Sequence, residues 1–482
     1  MARKGFTRQL QPLQILSEGQ LEAIHRATLD VLGETGARFE SDWALDLLKS
    51  HGCKVDGEDM RVRFPAALVE ECLANVPRTF HAKAPDPENN LLYGGNTVYF
   101  SHSSGMQTID LDTYEPRVPT KSEYIACVRV LDALPTLDHL GCYPYFGYEG
   151  ISPAMAIPEG VALHMQYSGK HQLACCSNDC EIFTIQLAQA VGHELSGTIG
   201  SSPPLAWGKD AIAAARRVVE AGFPLATVDG CIMGGNGPVT APGSVVVSNA
   251  EQLAMVVLVQ LLHPEHRMLV GHFSLSMNMR TGSPSFGGIE SSINNLIFNQ
   301  LWRHYGVPFS NGSPGYVNAK TMDYQAGYEK SMAALISALS GANHILLHLG
   351  VAGELSAHPV QAILDDDIAG MIGRFIQGEE LSDETIALDL IKEVGPLPGN
   401  YLSTIHTRDW WRKEQYVPKS ADRSTYTEWT QKGKKRALDY ARERMDNILA
   451  TPQTTRLTPG QEHDIDKILQ EAREFYAKRE QV

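Results

Sequence analysis

DYQAGYEKSMAALISALSGANHILLHLG, residues 323–350, decides the fold. Met332, Leu335, Ile336 and Leu339 recur at helical spacing behind an N-cap candidate, Asp323, and Gly341 stands where a left-handed C-cap belongs. That spacing predicts a helix. The run at 343–349 is apolar, too short for a core helix and closed by Gly350, which predicts a strand buried on both faces. Period-two alternation puts His344, Leu346 and His348 on one face and Ile345, Leu347 and Leu349 on the other. His348 falls at the C-terminal end of the strand, where parallel α/β folds carry their chemistry. It is a functional candidate, with a histidine simply hydrogen-bonded at a strand end as the alternative.

Working outward, helical segments alternate with short apolar runs from about residue 120 onward. The runs are 137–144, 171–178, 204–208, 223–230, 267–274, 307–315 and 343–350, with helices predicted at 181–193, 210–221, 249–262 and 290–305. Alternation sustained over this length predicts a parallel sheet, and seven or eight such units predict a (β/α)8 TIM barrel more readily than an open sheet. Seven strands are readable; the eighth comes from 96–113 or from the region after 350. Ahead of the barrel, helices are predicted at 17–33, opened by Ser17 and Gln20 in capping-box spacing and stopped at Gly33, at 41–51 and at 65–75. The chain thus divides into an N-terminal helical unit (1–80), a barrel domain (81–400) and a C-terminal helical extension (401–482). The extension is charged, with 434–445 and 464–480 as its clearest helices; its charges either coat solvated faces or form a basic docking surface for an acidic partner.

Composition narrows the class. With 43% hydrophobic and 20% charged residues over 482 positions, the chain has the makings of a sizeable core. A net charge of −15 argues against a general nucleic-acid binder, because phosphate contacts need a basic surface. The N-terminal MARKGFTRQLQPLQILSEG lacks the apolar segment of a signal peptide, and no later run of about 18 apolar residues is seen, so a cytoplasmic location away from membranes is expected. The eight cysteines are scattered apart from Cys175, Cys176 and Cys180 and are expected to be reduced.

No motif for self-sufficient cofactor binding is present. The glycine-rich 229–243 fits neither GxxxxGK[ST] nor a helix-opening GxGxxG and reads as a βα loop. The CCSNDC cluster lacks the spaced histidines of a zinc site, so no metal is expected. The strand ends instead offer aromatic, histidine and small residues: Phe100 and His102, Tyr143 and Tyr145, Trp207, Asp229, His272 and Phe273, Asn311 and Tyr316, and His348. Singly, each reads as core; gathered at one rim they suit a quaternary ammonium, which aromatic faces attract and which has no proton to donate.

Segments 277–290, 323–350, 364–375 and 406–418, preceded by 223–230 and 237–254, resemble the trimethylamine methyltransferase family in family order over nearly the whole chain. The resemblance implies a TIM barrel that moves a methyl group from an amine to the cobalt(I) of a separate corrinoid protein. Founding archaeal members carry pyrrolysine near the end of the strand corresponding to 343–349, whereas only ordinary residues occur here. Members without pyrrolysine resemble enzymes that demethylate quaternary amines such as glycine betaine, proline betaine, carnitine and γ-butyrobetaine. Glycine betaine, giving dimethylglycine, is the leading expectation. On that reading His348 donates to the carboxylate, Phe100, Tyr145, Trp207, Phe273 and Tyr316 cage the ammonium, and His102 and Asn311 add polar contacts. The DxHxxG signature of corrinoid proteins is absent, so the cobalamin belongs to a partner; self-association of the chain is also expected. Larger betaines, a zinc-assisted methyl transfer drawing on the Cys175 cluster, and a non-catalytic quaternary-ammonium binding protein are the competing readings.

Overall fold

Eight parallel strands close into a barrel in the computed structural model, which describes residues 4–452 and 455–479. They are β1 (Thr97–His102), β2 (His139–Leu140), β3 (His171–Cys175), β4 (Ser196–Gly200), β5 (Leu225–Val228), β6 (Met268–His272), β7 (Phe309–Asn311) and β8 (His344–His348). Each pairs in parallel with the next, and β8 pairs back onto β1, which closes the ring. The 96–113 segment therefore supplies the eighth strand.

One expected strand is not in the barrel. Ala206–Trp207 pairs with Ala37–Phe39, outside the ring, and β4 takes its place. Its sequence, SGTIG, has one large apolar residue, because Gly197 lies directly beneath Val218; a Cβ there would approach the valine to 2.4 Å. Close helix-to-strand packing thus removed the hydrophobic signal by which a strand is read.

Helices follow each strand: Lys121–Ala133, Ala156–Tyr167, Glu181–Ala190, Lys209–Glu220, Ala241–Leu262, Ile289–Tyr305, Tyr324–Ser340 and Pro359–Ile376. The helix at Tyr324–Ser340 begins as its sequence predicts, with Asp323 accepting from the Gln325 N–H, and ends at Gly341 with φ +114°. Ala241–Leu262 starts earlier than the predicted 249 and is long and apolar enough to cross a membrane by length and composition. The expectation that no such run exists is corrected here. In this fold 78% of its apolar window is buried, between the barrel and the N-terminal unit, as a core helix.

The first 80 residues carry the three expected helices, Glu18–Asp30, Asp42–Ser50 and Ala66–Asn75, with the Ser17–Gln20 capping box in place. The first does not stop at Gly33 but continues as a π-turn through Thr35 to Gly36. Gly36 has φ +78° and lies where a Cβ would meet the Val62 carbonyl, so glycine is required there. A four-stranded sheet that the sequence reading did not predict completes this unit. At the other end, Ala437–Ala450 and Pro459–Arg479 pack on the outer helices. Their basic residues are partly committed to the body of the protein: Arg444 pairs with Asp366 and Arg473 with Glu159. Glu480, the last residue of the predicted 464–480 helix, lies outside the described residues.

Candidate active site

A cavity of about 410 Å³ opens at the C-terminal ends of the strands. Position along the strands sets its layers. Ser101, Leu173, Ala226 and His344 lie within their strands and form the floor. Cys142, Cys175, Thr198 and Ser310 form the wall, and Tyr143, Phe273, Tyr316 and Glu354, all beyond the strand ends, form the mouth.

The mouth is aromatic with one carboxylate. Phe273 and Tyr316 meet edge to face with centroids 5.2 Å apart, and Phe286 backs Tyr316 at 6.0 Å. The Tyr316 hydroxyl accepts the Ser104 N–H at 3.1 Å, which fixes the ring. Phe273 is fixed by its backbone N–H, which donates to Asp229 Oδ1 at 2.7 Å; the other oxygen of Asp229 accepts from His272 at 2.6 Å. Glu354 sits on the short hairpin Gly350–Val351/Ser356–Ala357, tied to the opposite wall by the Met106 N–H donating to its carbonyl at 3.0 Å. Solvent reaches Glu354 from the mouth, yet the surrounding walls desolvate it enough to raise its carboxyl above the ordinary range. It acts electrostatically on both Tyr143 and Tyr316.

Below the mouth the histidines are neutral. Burial lowers His102 to about 4 and His344 to about 3. The Cys142 thiol, hydrogen-bonded to the Cys175 sulfur, is pushed up, and the same hydrogen bond holds Cys175 below the ordinary thiol range. Cys176 and Cys180 pack in the outer core, with the Cys180 thiol donating to the Cys175 carbonyl at 3.2 Å, and of the three only Cys175 lines the cavity. No Lys or Arg lines the cavity among the described residues.

A model of the trimethylamine methyltransferase family matches residues 1–481. The chain belongs to that family. It is 31% identical over 479 residues to the glycine betaine methyltransferase of Desulfitobacterium hafniense strain Y51, covering 96% of each chain. To the trimethylamine methyltransferase MttB of D. hafniense strain DCB-2 it is 29% identical over 448 residues, covering 90% of this chain and 88% of the relative. The crystal structure of the Methanosarcina barkeri monomethylamine methyltransferase superposes with a TM-score of 0.52 at 14% identity over 89% of this chain and 92% of that one, a likeness of fold. The chain is a methyltransferase.

In this methyltransferase, the cavity brings together His102, Phe273 and Tyr316 of the residues picked from sequence, together with Tyr143. The others lie elsewhere. Phe100 faces outward between Phe6 and His348. Tyr145 packs edge-on against Tyr124 in the surrounding core. Trp207 is in the N-terminal unit's sheet, its Nε1–H donating to the Glu251 carbonyl at 3.0 Å. Asn311 exchanges amide hydrogen bonds with Asn299 at 2.8 and 2.9 Å behind β7.

His348 is the main correction. The β8–β1 register shifts between Leu346 and His348, so the alternation that brings His344 and Leu346 inward turns His348 outward. There its Nε2 lies 3.2 Å from Thr136 Oγ1 and its Nδ1 3.3 Å from the Ser101 carbonyl, with Asp366 nearby. Two charged groups hold the irregularity. Lys330 Nζ donates to the Leu347 and Gly315 carbonyls and pairs with Asp365 at 3.1 Å, and Asp365 accepts the Leu349 N–H at 2.9 Å. Leu349 is held at φ +94°.

Sequence reading missed Glu354, His344, Ser101 and Cys142 as cavity residues and weighed Cys175 only as part of a zinc cluster. The signal for Glu354 was its place: an acid in the βα loop directly after the last barrel strand.

Proposed function

We propose that this methyltransferase demethylates a quaternary amine, with glycine betaine as the first candidate, and passes the methyl group to the Co(I) of a corrinoid carried by a separate protein. The observation that carries the reading is the mouth: three aromatic rings and a single carboxylate, Glu354, with no competing cation in the cavity among the described residues. Ring faces and a counter-charge are what a trimethylammonium group requires, since it offers no N–H. The relative named a glycine betaine methyltransferase supports the same substrate class.

The chemistry agrees with the residues. In the transfer the C–N electron pair stays on nitrogen, so a quaternary ammonium leaves as a neutral tertiary amine and no proton is needed. The cavity histidines His344 and His102, held neutral at about 3 and 4, are not imidazolium acids near neutral pH. The protein's task is to orient one methyl toward the mouth and exclude water from the reacting pair. The corrinoid is a co-substrate that approaches this mouth, bordered by the exposed Met106 and Leu355. A volume of about 410 Å³ leaves room for betaines longer than glycine betaine, which belong in the same assay.

The test is methylcobalamin formation from free cob(I)alamin under anaerobic conditions, with glycine betaine, proline betaine, carnitine, γ-butyrobetaine, choline and trimethylamine offered in turn. Turnover of one or more betaines is expected. Activity on trimethylamine alone, or on none of the panel, refutes the reading.

A further inference from the structure

The Glu354 mouth accounts for one end of a betaine and leaves the other without a partner. A carboxylate needs donors, and neither of the buried lysines nearest the barrel is available: Lys330 is committed to Asp365 and two carbonyls, and Lys170 donates to the Leu131 and Leu134 carbonyls at 2.9 and 2.8 Å. The anion must be met by neutral groups.

The floor holds such groups. His344 is fully buried, lines the cavity and has one ring nitrogen, Nε2, 2.7 Å from Ser101 Oγ. Its Nδ1 has no partner, although a buried polar atom is almost always bonded. With the Ser101 hydroxyl donating to Nε2, Nδ1 keeps its proton as a free donor. His139 stands behind it, ring centroids 4.2 Å apart, with Nε2 3.3 Å from the Tyr93 hydroxyl and its own Nδ1 also unpartnered. We propose that Ser101 and His344, backed by His139, form an anion subsite that seats the carboxylate of a betaine at the cavity floor while its ammonium lies among Tyr143, Phe273, Tyr316 and Glu354. This assignment rests on the quaternary-amine reading and deepens it.

Electrostatics orders the substrate in the same sense. Glu354 at the mouth repels a carboxylate and attracts an ammonium, and the floor is the end of the cavity away from it. The remaining titratable neighbours of the floor are His171, His102, Tyr93, Tyr99 and Asp138. The first four are buried and neutral, because burial lowers the two imidazoles and raises the two phenols. Burial raises Asp138 to about 6, and it lies outside the cavity lining, accepting the Phe100 and Gly5 N–H groups with Lys170 as a nearby cation. No anion lines the floor itself, so a carboxylate seated there has no like charge in contact with it. The cavity carries a negative mouth and a donor-lined floor, the reverse of the dipole of a betaine. The methyls at the mouth are then the ones presented for transfer.

The experiment is calorimetric binding to the intact chain of four probes: glycine betaine, γ-butyrobetaine, choline and tetramethylammonium. The last two keep the ammonium and lack the carboxylate. At least one betaine is expected to bind tenfold or more tighter than choline to the unaltered protein, and His344→Phe is expected to erase that preference while leaving choline binding within twofold. Equal binding of betaines and choline to the unaltered protein overturns the subsite and leaves the quaternary-amine reading standing. An unchanged betaine preference in a folded His344→Phe also overturns it. Failure of all four probes to bind overturns both the subsite and the reading beneath it.

Discussion

Glu354→Gln separates ground-state binding from transition-state stabilisation at this mouth. The methyl groups keep the substrate nitrogen about 5 Å from a carboxylate oxygen, and at that distance Coulomb's law gives about 3 kcal/mol at an effective dielectric of 20 and about 0.8 kcal/mol in bulk water. Glu354 is open to solvent on one side, which places the interaction near the lower half of that range, about 1–2 kcal/mol. Removing the charge is therefore expected to raise KM by roughly 5- to 30-fold. The same carboxylate does not favour the transition state more than the ground state, because the positive charge on nitrogen fades as the C–N bond breaks. Loss of uniform or ground-state binding leaves kcat unchanged or raised. The assay is steady-state methyl transfer from a betaine to cob(I)alamin across pH. In the unaltered enzyme the raised carboxyl loses its charge as pH falls through its elevated value, so KM rises toward acid; in Glu354→Gln that rise disappears. A fall in kcat at constant KM refutes this account and makes Glu354 a participant in the chemical step.

Three further outcomes follow from the geometry. His348→Ala removes a buried ring and its bonds to Thr136 and the Ser101 carbonyl, at a cost of about 1–3 kcal/mol; chemical denaturation should show the loss while KM for a betaine stays within twofold, and a tenfold rise in KM would return His348 to the site. Lys330→Met leaves Asp365 buried without its cation, which costs about 3–5 kcal/mol. A melting temperature equal to that of the unaltered protein would show that the pair does not hold the β8 irregularity. Finally, the arm between residues 378 and 418 exposes Leu381 (85%), Leu397 (92%) and Leu402 (87%), and it is anchored where Glu414 meets Arg374 and where Lys419 and Ser420 donate to Asp367. Exposed leucines on an anchored arm, with a second apolar stripe at Tyr324, Tyr328 and Met332 on the same chain, fit association with a second copy. Light scattering should give a particle of two or more chains that Leu397→Ser with Leu402→Ser dissociates; a monomer for the unaltered chain refutes it.

The barrel was legible because its signal is collective. A single apolar run such as 204–208 can be misplaced, and was, but alternation repeated along the chain fixes the architecture even when one member is wrong. The one barrel strand missed, β4, is built from Ser, Gly, Thr and Ile because Val218 presses against Gly197. The site was legible to the level of its rim and no further. Tyr316 and Phe273 face the cavity, yet Tyr145, beyond the end of β2 and no longer bound by period-two alternation, packs in the surrounding core, and Asn311, still paired within β7, alternates outward because its neighbour Ser310 faces in. Glu354 escaped notice because a lone acid in a surface loop carries no pattern. His344 was grouped on one face with Leu346, the face that the structure turns inward, but was passed over in favour of the histidine nearer the strand's end.

That choice turns on one local irregularity with consequences on both faces of β8. Had the strand continued regularly, His348 would point into the barrel and the chain would leave β8 one residue out of phase. Instead the register shifts, Leu349 takes a left-handed backbone unusual for a branched side chain, and Lys330 with Asp365 holds the Leu347 carbonyl and the Leu349 N–H on either side of the turn. The chain that emerges forms the hairpin carrying Glu354 to the mouth, against the loop at 105–107. Strain of this kind costs about 1–3 kcal/mol and persists only where the surroundings over-determine it. Here a buried ion pair supplies that constraint, and its effect is to place an anion at the mouth of a cavity whose floor holds only neutral donors. The outward turn of His348 and the inward reach of Glu354 are two results of the same displaced residue.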